Sequence, residues 1–335
     1  MRLSLSGTLA SLALFAFADA QTIPDELASA ISDYPDLSLF RSLLLSSPDG
    51  LTTALAKKTT NITVLIPTDD AITKYLSTSG VSNLTDLNAE DVQTFFQYHT
   101  MAASLKAADF ESPRGMTVPT LLQEEKFNNR SAGPVMQQQF GAQAEGQVLV
   151  ASAQNSSSSK AKRQSSGPTV DLRAGLAQDA EMTAVDGSWG PKDANSFQIV
   201  DNVLIPPRNC STTVRSFSDK RLDAFDNVLK RSGMWPVIDT SFNLTCLGPS
   251  KEAFSKAGNP QTSLSKSDLT DILLLHTLKE VTYTDHLEDG MLLETFNNLT
   301  VRVNIKNNDI YFNNAKVIEA NVLTNNGLIH MLVPL

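Results

Sequence analysis

The chain predicts an α+β protein built from two related modules in series, and three observations carry that prediction. A run of a dozen residues occurs twice, as Asn61-Ile-Thr-Val-Leu-Ile-Pro67-Thr-Asp-Asp-Ala71-Ile72 and as Asn243-Leu-Thr-Cys-Leu-Gly-Pro249-Ser-Lys-Glu-Ala253-Phe254, with Asn, Thr, Leu, Pro and Ala in register. Each copy reads as a short β-rich run closed by Pro, after which an acidic or hydroxyl residue starts a helix. A helical stripe then ends on histidine in both copies, and the second copy continues into period-two strands.

The elements follow in order. Leu39, Phe40, Leu43 and Leu44 fall at helical spacing; Pro48-Asp49-Gly50 interrupts the run, and Leu51 and Leu55 resume it. The repeated strand covers Ile62 to Ile66. A further helix starts at Asn88 as N-cap with Asp91 in its first turn, and Val92, Phe95, Phe96 and His99 share one face. In the second module Ser265 and Asp268 give the same start, and Leu269, Ile272, Leu273 and His276 the same stripe, which makes His99 and His276 equivalent. Gly115-Met116 before Thr120-Leu121 parallels Gly290-Met291 before Thr295-Phe296. Val301, Val303 and Ile305 alternate, Asn307-Asn308 reads as a turn, Ile310 and Phe312 continue, and a last strand follows Asn326-Gly327. Its counterpart in the first module is placed at Phe197 to Pro206, ending in Val203-Leu-Ile-Pro-Pro207, which reads as a closing strand and a stiff exit to the next domain.

The expected organisation is a leader over 1–20, a first domain over 21–207 and a second over 208–335. Between its landmarks the first module is longer, and much of the excess is the Ser-rich stretch 152–168, with Lys160, Lys162 and Arg163 and almost nothing apolar. Such a stretch buries too little surface to order itself, so it is expected to be an exposed, disordered loop. Lys162-Arg163 reads either as a processing site or as a solvated basic patch.

The N-terminus places the modules outside the cell. Arg2, an apolar run from Leu9 to Ala18 and the small-x-small pattern Ala18-Asp19-Ala20 read as a signal peptide cleaved before Gln21, the alternative being a buried N-terminal helix. The sequence ends at Leu335 without the spacer and apolar tail of a glycolipid anchor, and no stretch is apolar for long enough to span a membrane. Secretion is therefore expected, with wall, medium and vacuole all open as destinations. Sequons at Asn61, Asn83, Asn129, Asn155, Asn209, Asn243 and Asn298 are glycosylation candidates, most of them expected to be used. Cys210 and Cys246 are expected to form one disulfide, worth about 3–4 kcal/mol by chain entropy, the alternative being two separate buried thiols.

Charge narrows the partners. The net charge is −9, and residues 21–207 hold 13 basic and 21 acidic side chains against 13 and 14 in 208–335. Neither half has the basic excess that nucleic-acid phosphates require.

At this point the chain resembles a tandem fasciclin-domain protein of the secreted two-domain type found in filamentous fungi. The resemblance rests on Thr63-Val-Leu-Ile-Pro-Thr-Asp-Asp-Ala71, on Tyr98-His99 and Leu275-His276, and on Asn326-Gly-Leu-Ile-His330 with Val203-Leu-Ile-Pro-Pro207. It implies, in each domain, a twisted β-sheet wedge packed with helices, and a role in adhesion or matrix contact. In animal members the Tyr-His region is linked to integrin adhesion; only Tyr98-His99 keeps both residues here, so these two are the binding residues the resemblance implies, although a fungal setting offers no integrin. The chain departs from the family in its first module, where Asn195-Ser-Phe-Gln-Ile199 stands in place of Asn-Gly-x-Ile-His.

Catalysis lacks its parts in the sequence. There are four histidines, His99, His276, His286 and His330, two of them on apolar helix faces, and no Gly-x-Ser-x-Gly elbow, His-Glu-x-x-His helix or paired-cysteine metal box. The acid pairs Asp69-Asp70, Glu124-Glu125 and Glu288-Asp289 read more simply as a helix start, solvated faces or turns, and only Trp189 and Trp235 could stack on a sugar. The sequence thus predicts a secreted, glycosylated, non-enzymatic interaction protein without cofactor or metal. Its partners would be cell-surface, wall or matrix proteins or glycans, with homophilic contact also admitted. The alternative is a carrier holding a lipid or glycan between the domains.

Overall fold

The computed structural model describes residues 23–56, 58–153 and 169–334. The expected leader lies outside the described residues, as does the Ser-rich stretch from residue 154 onward with Asn155, Lys162 and Arg163.

Helix α1 covers residues 23–30, followed by α2 (Ser38–Ser46) and α3 (Pro48–Ala54). Pro48 opens α3 at a position where no backbone donor is needed, so the break read from Pro48 becomes a second helix start. Helix α2 buries Phe40, Leu43 and Leu44 and has no cap of its own; Asp69 supplies one, accepting from Leu39 N at 2.8 Å and Ser38 Oγ at 2.5 Å. Strand β1 (Thr63–Pro67) is buried at every position, which explains its unbroken apolar run. Helix α4 (Asp69–Ser79) is capped by Thr68, and α5 (Ala89–Tyr98) by Asn88, whose Oδ1 accepts from Asp91 N at 2.9 Å. Then come β2 (Thr100–Met101), β3 (Met116–Pro119), α6 (Gly133–Phe140), β4 (Val148–Ala153), β5 (Thr169–Arg173), β6 (Asp179–Trp189) and β7 (Asn195–Val200).

The second module repeats the series. Helices α7 (Cys210–Ser216), α8 (Asp223–Ser232) and α9 (Trp235–Thr240) precede β8 (Leu244–Pro249). Helix α10 (Lys251–Lys256) is capped by Ser250 as α4 is by Thr68, with an equal 3.2 Å bond to the third residue on. Helix α11 (Lys266–Leu275) is capped by Ser265. The strands β9 (Thr277–Leu278), β10 (Leu292–Glu294), β11 (Thr300–Lys306), β12 (Asp309–Phe312), β13 (Ala315–Thr324) and β14 (Gly327–Pro334) follow. Asn307 and Asn308 both take left-handed φ, 52° and 69°, as a tight hairpin between β11 and β12 requires.

Strand order demonstrates the duplication. One seven-stranded sheet runs β2-β1-β7-β6-β5-β4-β3 and the other β9-β8-β14-β13-β12-β11-β10, which is the same series strand for strand. In each, the second and third strands of that series are parallel, β1 to β7 and β8 to β14. The α+β expectation holds.

Two readings change. Strand β7 ends at Val200, and residues 203–207 carry no regular structure, so Val203-Leu-Ile-Pro-Pro207 is not the closing strand; Pro206 and Pro207 have no N–H to give a ladder. Ser152 and Ala153 belong to β4, so the Ser-rich segment starts later than its composition implies.

The described chain parts into two compact units that cut across the repeats. Unit 1 holds the described residues of Met1–Ala107 with Met182–Val203; unit 2 holds those of Ala108–Gln164, Thr169–Glu181 and Leu204–Leu335. Within unit 2, Met136 of α6 and Val148 and Val150 of β4 share a core with Tyr283, Leu323 and Leu328. There Thr117 donates to Asp285 through both N and Oγ1, at 2.7 and 2.6 Å.

Candidate functional site

The residues singled out for binding lie where α5 turns into β2. Tyr98 ends α5 fully buried, and His99, also fully buried, caps it. His99 Nδ1 donates to Phe95 O at 2.8 Å, and its own carbonyl accepts from Leu65 N at 2.7 Å, which ties the helix end to β1. The ring stacks on Phe95 with centroids 4.2 Å apart. Burial pushes the His99 imidazole down to about 4, against the pull of the Phe95 carbonyl, so the ring is neutral at ordinary pH. Neither side chain offers a surface to a partner; their geometry is that of a structural joint.

The second module rebuilds the hydrogen bonds of this joint. His276 Nδ1 donates to Ile272 O at 2.8 Å, and Leu247 N donates to His276 O at 2.7 Å. Thr100 and Thr277, one residue on, each donate Oγ1 to the carbonyl four residues back. His276 is half-buried where its counterpart is sealed, and burial lowers its basicity as well.

A second polar cluster shared by the two repeats lies on the parallel strand pair of each sheet. Thr63 Oγ1 accepts from Leu105 N and donates to Ala103 O; Thr245 Oγ1 accepts from Thr282 N and donates to Glu280 O. Register places Gln198 opposite Leu65 and His330 opposite Leu247, so Gln198, not Ile199, is the counterpart of His330. Gln198 Nε2 donates to Leu105 O at 3.2 Å and His330 Nε2 to Thr282 O at 2.8 Å. On the neighbouring strands β6 and β13 a bulge puts Asp186 and Asn321 at left-handed φ, 49° and 54°. Asp186 Oδ1 accepts from Ala107 N and Asn321 Oδ1 from Thr284 N. No periodicity in the sequence announces these bulges; the Asp and Asn at left-handed φ are their one local signal. Burial pushes His330 down to about 4, and burial also lowers His286, against the raising effect of Asp285.

Several of the other candidates have structural partners. Trp189 and Trp235 are buried, donating Nε1 to Ser196 O and Asp226 Oδ1, so neither is a sugar platform. Asp69 is occupied as the α2 cap, Glu124 pairs with Lys126, and Asp289 accepts from Ile305 N. Among the described residues, no three or more His, Cys, Asp or Glu side chains converge as metal ligands.

Cys210 and Cys246 are both fully buried, with Sγ atoms 3.9 Å apart as free thiols. Their mutual hydrogen bond, and then burial, raises the Cys210 thiol well above its ordinary range. Of the sequons, Asn61, Asn83 and Asn298 are exposed, and Asn129, Asn209 and Asn243 half-buried. Asn209 caps α7. Asn61 and Asn243 both hold left-handed φ, 56° and 54°, before their strands, a conformation Asn tolerates better than most residues. Their recurrence thus has a backbone cause independent of any glycan. Asn243 is also gripped through both amide atoms by Ser131, at 2.7 Å each.

Two sheets of one strand order, each with the same threonine clasp and histidine joint, define a tandem-repeat α+β protein whose repeats share an ancestor. The chain belongs to the fasciclin domain family, whose sequence pattern matches residues 35–164 and 220–333. It is 23% identical over 313 residues to a fasciclin-like arabinogalactan protein of Arthroderma benhamiae, covering 93% of this chain and 66% of that protein, just under two thirds of its length. A solved structure it is similar to is a fasciclin domain pair from the insect cell adhesion molecule fasciclin I, at 16% identity and a TM-score of 0.37, covering 89% of this chain and 96% of that one. No helix among the described residues is long and apolar enough to cross a membrane.

Proposed function

We propose that this protein is a secreted, glycosylated adhesion or cell-wall contact protein that works by binding and carries out no reaction. The observation that carries the reading is membership of both repeats in the fasciclin family, joined by the name of the arabinogalactan-type fungal relative. The polar chemistry of the repeats supports it: the histidines His99 and His330 and the threonines Thr63 and Thr245 are all buried and engaged with backbone groups, which leaves them no role in turnover. Two repeats on one chain allow weak contacts to add, so that modest affinity per repeat gives durable attachment to a polymeric surface. Export rests on the leader pattern over 1–20 and on the exposed sequons Asn61, Asn83 and Asn298. The full chain, expressed in a secretory host, is predicted to begin at Gln21, to carry N-glycans and to be retained on insoluble fungal wall polysaccharide. A chain that keeps its first twenty residues, or that passes over such material unretained, contradicts the proposal.

A further inference from the structure

The two histidine joints are finished differently. In unit 1, Phe40, Phe95 and Phe96 pack around the joint with ring centroids 5.4–6.2 Å apart, and Phe95 covers the face of His99. The offset that aligns His99 with His276 puts Ile272 at the place of Phe95 and Leu273 at that of Phe96. Two rings become branched aliphatics, and unit 2 holds a cavity of about 340 Å³ at its joint, bordered by Phe225, Phe254, Ile272, His276 and Leu332. Ile272 stays 37% exposed, where its aromatic counterpart is buried.

The cavity selects for a particular chemistry. His276 is its one polar side chain among the lining residues. With Nδ1–H given to the Ile272 carbonyl, the neutral ring keeps a lone pair on Nε2, so the joint presents an acceptor and no donor. A second hollow of about 460 Å³ shares His276, Ala315, Leu332 and Pro334, which puts the histidine where the two adjoin. One turn of an α-helix, about 10 Å across and 5.4 Å long, already exceeds the first cavity, whereas its volume sits at the small end of the range for small-molecule sites.

We propose that the second repeat binds a hydroxyl-bearing aliphatic lipid, its chain in the cavity against Ile272 and Phe254 and its O–H donated to His276 Nε2. The first repeat is closed to the same ligand by Phe95. The inference stands apart from the adhesive reading, since a chain can attach to a wall with this cavity empty.

Decan-1-ol is the probe, titrated into the full-length protein and followed by calorimetry and by the His276 ring nitrogen resonances. One molecule is expected per chain, with a shift at Nε2. Ile272→Phe, which gives the second repeat the side chain already accommodated in the first, is expected to weaken binding by roughly tenfold or more with the unfolding midpoint retained. His276→Leu is expected to bind decan-1-ol no better than decane. Absence of binding, equal affinity in Ile272→Phe, or an unchanged alcohol preference in His276→Leu each overturns the proposal. So does a concentration-dependent dimer that Ile272→Phe abolishes without any alcohol bound, because the cavity would then be a self-association face.

Discussion

Gln198 and His330 hold the same place in the two sheets, each on the strand parallel to the repeated one and each donating a side-chain N–H to an equivalent carbonyl, Leu105 O or Thr282 O. An amide and a neutral imidazole are therefore interchangeable there, and they differ in response to acid. His330 accepts from Asn321 N at Nδ1 while donating through Nε2, so both nitrogens are satisfied only in the neutral ring. The unfolded chain titrates this group near 6.5 and the folded chain at about 4. Between those values the unfolded state binds more protons, so stability is full above pH 6.5 and is lost as pH falls towards 4. His99 acts in the same direction. Each contributes a slope of at most about 1.4 kcal/mol per pH unit. His330→Gln should fold, and denaturant titrations at pH 7 and 4.5 should show a smaller acid loss than in the parent chain.

The threonine clasps should be costly to break. Thr245→Val keeps the shape of the side chain, strands a buried donor, Thr282 N, and takes the hydroxyl from a partly buried acceptor, Glu280 O. The stranded Thr282 N–H costs about 1–3 kcal/mol. Equilibrium unfolding should show a loss of that order, whereas Ser250→Ala, which removes only a helix cap from α10, should cost about 1 kcal/mol.

Cys210 and Cys246 are proposed to be joined in the exported protein. Their sulfurs are adjacent, and the closed loop would span 36 residues. Because the Cys210 thiol is held far from thiolate, the folded, reduced protein should oxidise slowly, and the bond should form during folding in an oxidising compartment. Intact mass with and without alkylation checks this: the secreted protein should resist alkylation until it is reduced, and should lose roughly 3–4 kcal/mol on reduction.

Glycan occupancy should follow exposure. Asn61, Asn83 and Asn298 stand in solvent, whereas Asn243 is held by Ser131 through both amide atoms. Glycopeptide mass spectrometry should find the first three filled and Asn243 least so.

Local signals were readable from the sequence because local physics sets them. Asn88 and Ser265 cap the helices they were read to start, and Asn307-Asn308 makes the expected turn. Register was not readable. Matching Asn195 to Asn326 by type pairs Ile199 with His330, while the strands pair Asn195 with the place of Gly327 and Gln198 with that of His330. Strand alternation fixes which face a residue takes, and a one-residue slip is settled only by partners far along the chain. The bulges at Asp186 and Asn321 escaped for the same reason. Burial of Tyr98 was likewise hidden, since a Tyr-His pair at a helix end looks the same in sequence whether it is packed or presented. The compact units, which gather strands of both repeats into unit 2, depend on tertiary contacts that neither copy of the repeat encodes alone.

The adhesive account makes the histidine joint a support for the contact surface, so the most direct measurement is retention of His99→Gln on insoluble fungal wall polysaccharide beside the parent chain. Both should be held equally once folding of the variant is verified by its unfolding transition. A folded His99→Gln chain that no longer binds, or a parent chain that is never retained, would contradict the account.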